Sequence, residues 1–183
     1  MKKIVLTFGL IAGVILSVLM VITFSLKDQI GFDNGMVVGY TTMVASLLMV
    51  YFGIRSYRDT VLGGRIRFWP AVKVGLLISM IATVFYVATW VLMYYRFMPN
   101  YMKEYAAHTI EKARQAGASE AELAKQRKEF DEFEVMYRNP LVNIGFTLLE
   151  PLPIVLLVTL VSAGLLSRQK PGEGVSPGGI PVS

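Results

Sequence analysis

Four long stretches almost free of charge do most to limit what this chain can fold into. Ile4–Leu26 runs for 23 residues without an Asp, Glu, Lys or Arg. As a helix it would span roughly 34 Å at about 1.5 Å per residue, enough to cross the hydrocarbon core of a bilayer. Further apolar stretches lie at about 36–54, 70–98 and 141–166; Lys73 and Arg96 fall near the ends of the second of these, and Glu150 alone lies inside the last. Lipid offers no partner to backbone N–H and C=O groups, so a segment crossing it must satisfy them internally, and runs of this length do so as helices. The expected fold is an all-α membrane protein, with four transmembrane helices in a bundle and the lipid bilayer as its first partner.

The opening Lys2-Lys3 pair resembles the start of a signal peptide. The apolar run behind it is longer than the 7–15 residues such a peptide carries, and it ends at Lys27-Asp28 without a small-residue cleavage site. A retained first helix over 4–26 is expected, followed by a polar turn over 27–35. Charged residues make up only 17% of the chain and are concentrated at the start, around 55–73 and in 96–138. The net charge of +5 therefore sits at span ends, where basic groups meet lipid head groups. With no Gly-rich phosphate loop and no aromatic–basic ladder, nucleic acid is not expected as a partner. Cysteine is absent, which excludes disulfides and thiolate chemistry.

Residues 100–138 break the apolar pattern and are expected to form an extramembrane helical hairpin between the third and fourth spans. Gly117 reads as a helix stop, and Ser119 with Glu122 three residues on reads as a capping box that starts a second helix. Met102, Tyr105, Thr109 and Ala113 form one stripe at helical spacing. Leu123, Phe130, Phe133 and Tyr137 form another, and the two are expected to pack together. Asn139-Pro140 opens the last span. The unit 1–168 is expected to be one domain, and 169–183, rich in Gly, Pro and Ser, a disordered tail.

Four spans place both ends on one side. The N-terminus, the 55–73 segment and the Arg168/Lys170 pair carry nine Lys/Arg together, and the first turn carries one. The 96–138 segment adds eight, but these are balanced by acids. The positive-inside rule then favours both termini in the cytoplasm and the hairpin outside. Arg55, Arg58, Arg65 and Arg67 read as topology determinants. Trp90, Tyr94, Tyr95 and Phe97 at one end of the third helix, and Phe68 and Trp69 at the other, read as interfacial belts.

Helices in lipid associate by close packing and polar contacts. Gly9, Gly13 and Ser17 follow at i, i+4 and i+8, and Gly75, Ser79 and Thr83 repeat the pattern. Packing inside the bundle is expected at Gly9, Gly13, Gly75 and Ser79, with a homo-oligomer through the Gly9/Gly13 face as the alternative. Glu150 is the one acidic residue inside an expected span, roughly 14 Å from its outer end at helical rise. An ionisable group at that depth costs at least about 2.5 kcal/mol to insert and should find a partner facing the bundle interior. Pro151 and Pro153 should bend the helix beside it. Counting to the same depth on the other spans gives Ser17, Ser46 and Tyr86, the last flanked by Thr83 and Thr89. These six residues form the candidate intramembrane polar site. No basic residue shares that depth, so the carboxyl group is expected to carry its proton.

Glu104, His108 and Glu111 share a helical face, but they lack the tighter histidine-rich motif of a zinc site and read as a solvated face. No metal site, cofactor or catalytic residue is expected, and enzyme activity is not expected.

The stretches Met1–Leu10, Gly39–Met43, Phe52–Asp59, Phe85–Trp90 and Phe146–Pro153 resemble an uncharacterised bacterial membrane-protein family, domain of unknown function 4199. The resemblance covers residues 1 to about 168. It implies a bacterial membrane protein with four spans and a polar insert before the last, and it brings no activity or ligand; the inner membrane is the expected location. Two functions are open at this level. One is a structural or accessory subunit whose hairpin meets a membrane or periplasmic partner. The other is a small oligomeric transporter, or an ion or proton pathway, using Glu150. An exposed Phe130 or Phe133 would favour the first, and a wet cavity reaching Glu150 the second.

Overall fold

The computed structural model describes residues 1–168, so the expected tail at 169–183 lies outside the described residues. Every regular element among the described residues is helical. In chain order these are α1 (Lys2–Ser25), α2 (Lys27–Val61), α3 (Phe68–Leu92), α4 (Tyr101–Gln115), α5 (Glu120–Tyr137), α6 (Pro140–Leu149) and α7 (Leu152–Ser167). A π-helical turn, Met93–Phe97, extends α3. Four helical segments are long and apolar enough to cross a membrane: Lys2–Ser25, Lys27–Val61, Phe68–Phe97 and Pro140–Ser167.

The bundle packs around α3 and α2. Helix α1 lies against both, and α7 closes the other side against both. Leu47, Val50, Ile54, Val74, Ile78, Ala82 and Ala163 form a centre almost without solvent exposure. The outer faces are as apolar as the core. Leu6, Leu10, Val14 and Val18 run exposed along α1, and Leu156, Leu157, Leu160 and Val161 along α7. Large exposed apolar belts of this kind are foreign to a water-facing surface and suit lipid.

Small residues set the helix spacing. A Cβ on Gly9 would lie 2.8 Å from Ile81 Cβ, and one on Gly13 would lie 2.6 Å from Phe85 Cγ. The Gly9/Gly13 face is thus occupied by α3 of the same chain. A Cβ on Gly75 would come within 2.8 Å of Thr159 Cγ2, and one on Gly53 would strike Ile78 Cδ1. Ser79 and Thr159 are buried at this contact, and neither hydroxyl has a hydrogen-bond partner among the described residues.

The polar turn expected over 27–35 is instead mostly helix. Only Leu26 separates α1 from α2, and its carbonyl already accepts from the Gln29 and Ile30 amides. Residues that read as turn formers are absorbed here. Asp28 sits in the first helical turn, where the helix dipole favours an acid. Asn34 Nδ2 donates back to the Ile30 carbonyl at 3.1 Å. The break falls at Gly31 alone (φ 72°, ψ 160°), a conformation costly for any residue with a Cβ. At its other end α2 runs on to Val61, so Arg55, Arg58 and Asp59 lie on helix rather than loop. Both arginines pair with Asp59, at 3.6 and 2.7 Å. The true connection is Leu62–Arg67, turned by Gly63 and Gly64 at positive φ.

The last span is broken into α6 and α7 at Glu150-Pro151. Pro151 and Pro153 have no N–H, so the carbonyls of Thr147 and Leu149 lose their usual helical donors.

In the insert, α4 and α5 pack on each other, with Tyr105 and Phe130 ring centroids 6.1 Å apart. The capping box is present: the Ser119 side chain accepts from the Glu122 amide at 3.3 Å, and the Glu122 carboxylate accepts from the Ser119 amide at 2.8 Å. Donation from the Ser119 amide, together with that from the Ser119 hydroxyl at 2.8 Å, holds the Glu122 carboxyl below its ordinary range. A depressed folded-state value contributes stability that is in place above the ordinary carboxylate range and is lost as pH falls through the lowered value. Acidification is therefore expected to fray the start of α5. Ser119→Ala is expected to produce a similar loosening at neutral pH, costing about 1 kcal/mol locally. Amide hydrogen exchange over 119–123 checks both, and unchanged protection in the variant would contradict the capping account.

Candidate functional site: a cavity ending at Glu150

Tyr86 lies on the inner face of α3 at 8% exposure, and its hydroxyl donates to Glu150 Oε2 at 2.6 Å. The six polar residues matched by depth divide at this point. Ser17 and Thr89 bond each other, Thr89 Oγ1 donating to Ser17 Oγ at 2.7 Å. Ser46 donates to the Thr42 carbonyl on its own helix at 2.8 Å. Thr83, half-buried, makes no hydrogen bond to Glu150. Only Tyr86 therefore reaches the carboxyl group.

Glu150 is not enclosed by the bundle, which corrects the expectation of an interior-facing group. It is exposed, and it borders a cavity of about 600 Å³ between α1, α2, α3 and α4. The proline break accounts for this position, since the side chain sits where α6 ends and the chain turns into α7. The volume falls within the roughly 300–1,000 Å³ of sites that take small molecules.

From Glu150 and Tyr86 the cavity passes Tyr40 and Trp90 and reaches a polar end formed by Lys27, Asp28 and Asp33. Helix α4 forms one wall there through Tyr101, Tyr105 and His108. It is tied to the start of α2 by contacts 75 or more residues apart in sequence. Lys27 Nζ meets Glu104 Oε2 at 2.6 Å, His108 Nε2 lies 3.3 Å from Asp33 Oδ1, and Lys112 pairs with the same Asp33 oxygen. Phe32 packs its ring against those of Tyr101, Tyr105 and His108 at centroid distances of 5.4–5.9 Å. Burial pushes the Tyr101 phenol up to about 12, so it stays a neutral donor.

The reading of Glu104, His108 and Glu111 as one solvated face is only partly right. Glu111 does pair within α4, with Arg114 and Gln115 at 3.3 Å. Glu104 and His108 turn to α2 instead. No group of three or more metal-ligating side chains is present among the described residues.

The expected aromatic belt is likewise divided. Trp69 (75% exposed) and Phe97 (68%) point outward as interfacial residues do. Trp90 Nε1 instead donates to Tyr137 Oη at 3.0 Å, and Tyr95 Oη donates to the Arg138 carbonyl at 3.0 Å. These bonds fasten α5 to the end of α3. Lys27, Asp28, Asp33, Tyr40 and Tyr101 line the cavity without having been singled out by sequence. Also missed was Asn143 on α6, fully buried with neither side-chain amide atom partnered among the described residues.

The architecture is a helical bundle with four helices long and apolar enough to cross a membrane and an aromatic-walled cavity reaching the Glu150 carboxyl group. The chain belongs to the family described as Protein of unknown function (DUF4199), which matches residues 7–168. No curated protein and no solved structure matches it.

Proposed function

We propose that this chain is a multi-pass protein of the bacterial inner membrane that admits a small solute to the cavity, with Glu150 as the group that engages it at membrane depth. On this reading both termini face the cytoplasm, and 100–138 is a periplasmic helical hairpin that covers the cavity entrance. The protein moves or senses a solute and does not transform it. The observation that carries the reading is the continuity of the cavity from the Lys27/Asp33 end to the Glu150 carboxyl group.

An exposed Phe130 or Phe133 would have favoured the accessory-subunit reading. Phe130 and Phe133 are half-buried. Phe130 faces Tyr105, and Phe133 lies against Tyr137 and Phe146 at 5.3 and 5.5 Å. That packing supports the cavity reading.

The absence of native cysteine gives a direct test. Gly39 borders the cavity, and a Cβ there meets nothing within 4 Å, whereas Ser46 on the same helix is fully buried. In membranes, Gly39→Cys is expected to react with a charged, water-soluble thiosulfonate and Ser46→Cys to resist it. If the two positions are equally inert, water does not reach the cavity and the reading falls.

A further inference from the structure

The charges lining the cavity do not balance. Of its two lysines, Lys27 is held by Glu104, which lies outside the cavity lining, and Lys112 is held by Asp33. His108 also faces Asp33. Among the described residues, two carboxyl groups on the lining then have no cation. Asp28, at the polar end, makes no hydrogen bond or ion pair among the described residues, and Glu150, at the far end, is met only by the Tyr86 hydroxyl. Between them the walls are rich in aromatic rings, with Trp90 in contact with both Phe24 and Tyr101 at centroid distances of 5.4 and 5.5 Å. An aromatic face attracts a cation through its quadrupole, most strongly where water is excluded, and repels an anion. An apolar body fits the same walls.

We propose that the cavity binds a monovalent organic cation with an apolar body, such as an amphipathic amine or quaternary ammonium compound. Its charge supplies the partner that no basic residue offers Glu150 at that depth, so the carboxyl group releases its proton to water and meets the cation as a carboxylate, while the apolar body lies against Trp90 and Tyr101. Asp28 attracts the cation at the entrance. A hydrated metal ion suits the site poorly, because one carboxylate and one phenol hydroxyl offer too few oxygens to replace its water. An anion meets two unpaired carboxyl groups. The inference rests on the cavity reading and adds the class of solute.

The test compares two probes with the same benzyl body and opposite charge, benzyltrimethylammonium and phenylmethanesulfonate. Each is titrated into the full-length protein in an uncharged detergent. The chain has two tryptophans. Trp69 is exposed at the opposite end of α3, so a Trp69→Phe background leaves Trp90 as the fluorescent reporter. The cation is expected to give a saturable signal and the anion none. Glu150→Gln should weaken cation binding about tenfold or more, the loss of a charge-assisted contact. Asp28→Asn, at an exposed position remote from the core, should weaken it about threefold at low salt and less at high salt. Equal binding of the two probes overturns the proposal, as does a cation affinity unchanged in both variants. Labelling at Gly39→Cys separates the two levels. A reactive cysteine with no preference for the cation sinks the solute class alone, while an inert cysteine sinks the cavity reading itself.

Discussion

Gly13→Leu is expected to destabilise the bundle by about 3 kcal/mol, the upper range for forcing a side chain into a packed core. The added Cβ alone would sit 2.6–2.9 Å from three atoms of Phe85, and the rest of the leucine has nowhere to go while α1 stays on α3. Because Phe85 adjoins Tyr86, the displacement should also disturb the hydroxyl that meets Glu150. Unfolding in a mild detergent series, followed by far-ultraviolet circular dichroism, measures the loss. Gly145→Ala supplies the contrast. That glycine is helical with nothing within 4 Å of its ideal Cβ, so alanine should be neutral or stabilising by up to about 1 kcal/mol. Equal effects at the two sites would mean that the α1–α3 approach is looser than described.

Glu150→Gln is expected to remove solute passage while leaving the bundle intact. The substitution preserves shape, and Gln can still accept from the Tyr86 hydroxyl. What disappears is the carboxylate. With benzyltrimethylammonium as the probe, its entry into proteoliposomes should fall about tenfold or more. Thermal unfolding should move little, since Glu150 is exposed to the cavity rather than packed in the core. Flux unchanged in a folded variant would leave Glu150 as a contact between helices and nothing more.

Much of the architecture was legible in the residues because the relevant signals are local. Apolar runs give the four long helices, and Ser119 with Glu122 gives the start of α5. The small-residue stripe of α1 marks its face against α3, whereas Gly75 on α3 marks the approach of α7. The Tyr86–Glu150 contact was legible for a different reason. A bilayer imposes a common depth scale on helices distant in sequence, so residues equally far from the outer ends are candidates to touch. Depth does not fix rotation about the helix axis, and for that reason Ser46, Ser17 and Thr89 were grouped with Glu150 although they bond elsewhere. The docking of α4 on α2 had no such scale. Glu104 meets Lys27 across 77 residues and Lys112 meets Asp33 across 79, and these polar segments carry no spacing rule that would pair them. The stretch 27–35 misled for a simpler reason. Asp, Asn and Gly favour turns, but each also has a place in a helix: the first turn, a bond to the carbonyl four residues back, and a single break.

The corner at Leu26 makes the two lips of the entrance unlike each other. One is continuous with α1 and α2, joined through a single residue, and shares the rigidity of the bundle. The other is α4, fastened by ion pairs between groups that water reaches and by the ring of Phe32 against Tyr101, Tyr105 and His108. On the proposed function, opening is expected to be one-sided, with α4 moving as a latch against a fixed frame. Salt is expected to weaken the charged part of such a latch and leave the oily frame untouched, so that added salt changes the speed of solute entry more than the strength of holding.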